Sequence, residues 1–295
     1  MAGHARTHVI AAAIVASLGA PAIFAQSERI NIRPAPRPDQ TVQMTMNQSL
    51  DMDLTVEGGG ALPAGAGPMK MAMKMTMEMT QKTGSASPDG SYDSELTFGQ
   101  NHMTLEMNGA PLPAGAPQSQ MEGKSLTVTY NGDGQITDVK MPGGDVATDA
   151  VRQMLRAFYA NLPVSTIGVG ETVTTPLEFT LPLPIAGGSG MKISGVTTMK
   201  LVSVDTDGGT RLARFESTSE GQISAAPSGP GGGSMTVDMT IGGDGTTVID
   251  LEKGVLRSGE TRTRFSGKLS GSGAAAPAVP GISMQGTMTV TIASN

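Results

Sequence analysis

TVQMTMNQSLDMDLTV, residues 41–56, is apolar at Val42, Met44, Met46, Leu50, Met52, Leu54 and Val56, and polar at every odd position from Gln43 to Thr55. Only Gln48 breaks the rule. A period of two puts successive side chains on opposite faces, so the stretch reads as a strand with one dry and one wet face. A clean dry/wet division favours an antiparallel sheet over a parallel one buried on both sides. As one extended strand, 42–56 spans about 50 Å, far beyond the usual five or six residues. Strands this long twist and coil, and a sheet of them curls.

The next stretch carries the same signal in a single residue type. PMKMAMKMTMEMT, residues 68–80, places Met69, Met71, Met73, Met75, Met77 and Met79 on one face, with Lys, Ala, Thr or Glu between them. Further strands are expected near 91–98, 102–107, 124–130, 135–141, 171–181, 191–204, 210–224, 234–241, 246–252, 255–269 and 282–293. The segments SPDG (87–90), NGDG (131–134), TDGG (206–209) and GGDG (242–245) supply residues that tolerate the positive φ of tight hairpins. NGDGQITDVKM at 131–141 and GGDGTTVIDLEKG at 242–254 suggest a faint internal repeat.

One segment departs from period two. In DVATDAVRQMLRAFYANLP (145–163), Ala147, Ala150, Val151, Met154, Leu155, Phe158 and Leu162 recur at three and four. Asp145 is placed to cap the start and Pro163 to stop the end. This predicts an amphipathic helix near 146–161 whose apolar stripe packs on the dry face of the sheet. The expected fold is therefore mainly β: a long curved antiparallel sheet, a half-barrel or open barrel, with one helix on its concave face.

The chain opens MAGHARTHVIAAAIVASLGAPAIFAQ, a short segment holding Arg6 ahead of an uncharged Ala-rich run. This reads as a secretory signal peptide over 1–25, cleaved near Ala25, with no following cysteine to mark a lipoprotein. The run from Val9 to Ala25 is short for a bilayer-spanning helix of about 20 apolar residues, and no second such run follows. The expected organisation is a flexible segment over 26–39, then a single mainly-β domain over 40–293, secreted or periplasmic.

Composition narrows the chemistry. Cleavage removes Arg6 alone among the charged residues, taking the formal net charge from −6 to −7. An acidic mature chain with eight aromatics lacks the basic, stacking footprint of a nucleic-acid binder. The absence of cysteine excludes disulfides, thiolate metal sites and a cysteine nucleophile. His102 is the only histidine after the signal peptide, so a triad or a multi-histidine metal site cannot be built without it. Alternation and turn chemistry place Asp51 with Asp53, and Asp205 with Asp207, on wet faces or at turns. DTDGG at 205–209 lacks the fuller calcium-loop pattern. No enzyme signature emerges, and none of these residues implies a cofactor.

The methionines are the remaining candidates. Met44, Met46 and Met52 share parity with Leu50, Leu54 and Val56; Met235 and Met239 with Val237 and Ile241; Met284 and Met288 with Val290 and Ile292. Methionine thus stands in for aliphatic residues on the dry face. It is also the adaptable side chain used where a surface receives apolar ligands of variable shape. The expected site is an apolar face made of Met44, Met46, Met52, Met69, Met71, Met73, Met75, Met77 and Met79, covered by Met154, Leu155 and Phe158. Its expected ligand is a lipid or acyl chain, held by a non-enzymatic exported protein. Two alternatives are a structural or surface-interaction scaffold without a pocket, and Cu(I) binding by the Met69–Met79 stripe. Thioethers are soft ligands, although neighbours along one strand face stand about 7 Å apart.

The segments GVGETVTTPLEFTLPLP (168–184) and GVTTMKLVSVDTDGGTRLARFESTSEGQI (195–223) carry a resemblance. They look like an uncharacterised family of secreted bacterial β-proteins, in which a helix precedes a V-x-V-G-[DE] strand opening and a long hairpin with a DG turn. Val169, Gly170 and Glu171 match that opening, while Thr172 and Val173 stand where an aromatic is common. The overall scheme also resembles the LolA-like architecture of periplasmic lipoprotein carriers. The resemblance implies a curved sheet with a covering helix and no catalytic residue.

Overall fold

The computed structural model describes residues 29–31, 36–56, 68–112, 122–140, 166–181, 191–225, 234–272 and 279–295. The parity of 41–56 is realised as β2 (Gln40–Val56), a strand of 17 residues. In chain order the others are β1 (Arg29–Asn31), β3 (Met69–Thr83), β4 (Tyr92–Met107), β5 (Ala110–Pro111), β6 (Ser125–Tyr130), β7 (Ile136–Lys140), β8 (Thr166–Gly168), β9 (Thr172–Leu181), β10 (Met191–Asp207), β11 (Thr210–Ala225), β12 (Ser234–Asp250), β13 (Val255–Ser272) and β14 (Val279–Ser294).

Twelve of these form one antiparallel sheet. Eleven follow the order β7-β6-β4-β3-β2-β14-β13-β12-β11-β10-β9, and β5 pairs β4. Two meanders run outward from the middle, and the first and last long strands, β2 and β14, join them there from Met44↔Ser294 to Val56↔Ile282. Among the described residues the ladder ends at β7 on one side and β9 on the other and is not closed into a barrel. The mainly-β, long antiparallel architecture is as the periodicity predicts. The helix expected at 146–161 lies outside the described residues, and no described residue is helical.

Local chemistry explains where strands stop. Asn131 accepts from the Asp133 and Gln135 amides and Gly134 takes φ 77°, closing the NGDG turn. Gly208 and Gly209 turn at φ 55° and 89° between β10 and β11. Asp250 accepts from the Glu252 and Lys253 amides at 2.9 and 2.8 Å, and Gly254 at φ 67° completes the β12–β13 connection.

Two expectations are corrected. GGDG at 242–245 is not a turn: β12 runs through it, paired along both sides with β11 and β13. Ladders on both flanks supply the hydrogen bonds that a turn would break, and they override the local preference. The suspected repeat therefore has no structural counterpart, since 131–134 is a turn and 242–245 is mid-strand. Second, 91–98 and 102–107 form one strand, with a bulge on β4 where Met77 pairs Asn101 and Met79 pairs Phe98. Within the segment 26–39, the described residues make two attachments. Arg29–Asn31 pairs with β8, burying Ile30, and Arg37 donates from its amide to Lys253 O at 3.0 Å.

Two clusters of buried side chains stand on the dry face. Tyr92, Leu126, Val128, Tyr130 and Val139 pack together on β4, β6 and β7, with the Tyr92 and Tyr130 rings stacked at 5.2 Å. Under the β1–β8 ribbon, Ile30 and Ile167 meet Leu201, Ala213 and Phe215 of β10 and β11. Between these clusters the dry side chains of β2, β3 and β14 are mostly only half-buried.

Candidate functional site

The register converts the methionine stripe into a two-dimensional field. Met44 lies opposite Met79, Met46 opposite Met77 and Met52 opposite Met71 across β2 and β3. On the far side of β3, Met71 faces Met107 and Met75 faces Met103 of β4. Met69 and Met73 face Leu54 and Leu50, while Met284 and Met288 of β14 face those same leucines from the other flank. The nine methionines expected on β2 and β3 thus share one face, and all are half-buried. Met154, Leu155 and Phe158 lie outside the described residues.

Gln48 and Asn101 bring polar groups in among these methionines. Gln48 directs its Nε2 to the Met288 sulfur at 3.3 Å, which satisfies one donor of its amide without a second polar side chain. Asn101, opposite Met77, has a buried Oδ1 with no hydrogen-bond partner among the described residues. Parity does not flag Asn101, because the bulge on β4 shifts it from the wet to the dry set.

Among the described residues, two of the cavities that border the sheet bear on the site. One, of about 500 Å³, is bounded by Tyr92 and Phe215 together with Pro36, Arg37, Pro38, Ile249 and Leu251. Tyr92 on β4 and Phe215 on β11 are six strands apart in the sheet order. In a flat sheet that is about 29 Å at 4.8 Å per strand, so one cavity shared by both requires the sheet to curl, dry face inward, at this end. Sequence reading found neither residue as a site, because they meet only through that curl.

The other is an open groove of about 1390 Å³ that crosses β4, β3, β2, β14, β13, β12, β11 and β10. Its walls are two wet rows, including Asp51, Arg264 and Glu220 in one and Asp53, Lys70 and Gln285 in the other. The dry row between them, from Met71 and Met52 to Gly195, also borders it, but Leu50, Leu54 and Met73 do not. That pattern places the groove on the polar face. Of the expected site residues, only Met52 and Met71 touch it, so this groove is not the expected apolar site.

Groups considered for catalysis are dispersed. His102 is exposed on the polar side of β4, opposite Thr76. Asp205 accepts from Ser203 at 2.8 Å and pairs with Arg214 at 3.3 Å on an exposed surface, while Asp207 borders the β10–β11 turn. No group of three or more His, Asp or Glu positioned for a metal occurs among the described residues. Glu171 is held below the ordinary glutamate range, chiefly by the Gly168 amide it accepts from and secondarily by Arg29, against partial desolvation. Its role is to fasten the β1–β8 ribbon.

No family model matches the chain, and no curated protein matches it. Among solved structures, engineered proteins described by their asymmetric conductivity align over 84% of this chain and 99% of theirs, at 8% identity and a TM-score of 0.26. An outer membrane channel from Pseudomonas putida F1 aligns over 88% and 97%, at 10% identity and a TM-score of 0.22. Pseudomonas aeruginosa OpdQ aligns over 87% and 99%, at 8% and 0.20. Likeness this slight carries no argument about fold or function.

Proposed function

We propose that the chain is an exported, non-enzymatic protein that holds an apolar ligand, an acyl chain or lipid, against its dry face. The observation that carries this reading is the inward curl that lets Tyr92 and Phe215 border one cavity of about 500 Å³. That volume falls within the range of small-molecule sites, and its mostly apolar lining suits a hydrocarbon. The half-buried methionine field on the same face extends the apolar surface with side chains that adapt to variable shapes. Arg37 at the cavity border suits an anionic headgroup, and the unpartnered Asn101 Oδ1 suits a hydroxyl or amide on an otherwise greasy ligand.

Native mass spectrometry of the chain purified from the membrane-bearing host is expected to detect bound lipid. A fluorescent fatty acid is expected to be taken up and then displaced by oleate. If neither is seen, the ligand reading fails and the sheet is a scaffold without a pocket.

A further inference from the structure

Met52, Met71 and Met107 occupy one row across three adjacent strands, each directly opposite the next. Row by row across β2, β3 and β4, no other has three thioethers. Gln48–Met75–Met103 and Met46–Met77–Asn101 have two, and Leu50–Met73–Leu105 has one. Along a strand, same-face sulfurs start about 7 Å apart; across the sheet, neighbouring backbones are only about 4.8 Å apart. The outer two residues of the row are therefore separated by about 9.6 Å, and each flexible side chain carries its sulfur roughly 3 Å toward Met71. The three sulfurs can thus come to about 4 Å from one another, the spacing of a three-coordinate ion with metal–sulfur bonds of about 2.3 Å.

The surroundings fit a soft cation. Lys70 and Lys74 project to the opposite face of β3, so no like charge stands in the row. Beyond Met52 the row continues with Gly286, and the Phe265 ring lies over that glycine, 2.5 Å from where a Cβ would stand. Thioethers alone bind hard cations poorly and select Cu(I) or its chemical analogue Ag(I).

We propose that Met52, Met71 and Met107 form a three-thioether site for a soft monovalent cation, Cu(I). The row is what the structure adds, since a single-strand stripe would hold these sulfurs too far apart. The site stands independently of the ligand reading above.

The test titrates the full chain with Ag(I), a redox-inert probe, in thiol-free buffer and reads stoichiometry by native mass spectrometry and affinity by competition. The wild-type protein is expected to bind one Ag(I) ahead of any weaker binding. Met71→Leu, nearly volume-conserving, and Met107→Leu at the end of β4 are each expected to weaken that event at least a hundredfold, with circular dichroism unchanged. Met239→Leu, whose opposite residues are Ile223 and Gly267, is expected to leave it intact. With Cu(I) under ascorbate, X-ray absorption is expected to give an all-sulfur first shell. Equal titration of the wild-type protein with either row variant, or no Ag(I) bound by the wild-type chain, overturns the proposal.

Discussion

Glu171 ties the β8–β9 connection to a distant part of the chain: it accepts the Gly168 amide of β8 at 2.9 Å and pairs with Arg29 of β1, 142 residues away, at 2.6 Å, just before β9 begins. Its carboxyl is depressed in the folded state, first by that amide. A depressed folded value contributes stability that is present above the unfolded glutamate pKa of about 4.3 and is lost as pH falls through the folded value. Hydrogen exchange of the ribbon amides is expected to accelerate in that acid window beyond its intrinsic pH dependence. Glu171→Gln is expected to remove most of that extra dependence, and an unchanged profile would assign ribbon stability to Ile30 and Ile167 packing alone. Gln48 gives a second case. Its amide meets a thioether, a weak acceptor, on a half-buried apolar face. Gln48→Leu is expected to stabilise the fold by up to about 1 kcal/mol, read as a higher urea midpoint, because apolar burial replaces a polar group with a poor partner.

Among the strands, glycine positions decide how closely neighbours approach. Gly195 on β10 lies against Gly221 on β11, and a Cβ there would sit 2.2 Å from the Glu220 carbonyl oxygen. At Gly242 on β12 the nearest atom to such a Cβ is 3.9 Å away. Gly195→Ala is expected to destabilise by about 1–3 kcal/mol through overpacking against backbone, and Gly242→Ala to be neutral or stabilising by up to about 1 kcal/mol. Equal denaturation midpoints for the two variants would show that the strands part without cost at Gly195. These glycines also mark where sequence reading stops. Alternation located β2, β3, β10 and β11 within a few residues, since period two is a property of each strand alone. It misplaced the GGDG segment because turn propensity is local, whereas the ladders on both sides of β12 come from β11 and β13. The methionine face was legible on each strand. The Met52–Met71–Met107 row was not, because register is fixed by pairing between strands, and the Tyr92–Phe215 cavity was not, because it exists only once the sheet curls.

The sheet is assembled from two meanders whose strands pair mostly with their sequence neighbours, joined along one seam between β2 and β14. Pairs within a meander close short loops, whereas Met44↔Ser294 joins residues some 250 positions apart. Loop-closure entropy grows with that separation, so the seam is the costliest pairing to begin and is expected to form after the meanders on either side. A chain made N-terminus first exposes β2, with its methionines and one unpaired edge, long before β14 exists to cover that edge. Long, apolar, unpaired edges invite pairing with other chains. The position of β14 beside β2 at the centre of the sheet therefore makes a segment some 250 residues downstream the one that protects β2 from aggregation. For this fold, the most vulnerable edge stays open until β14 has been made and docked.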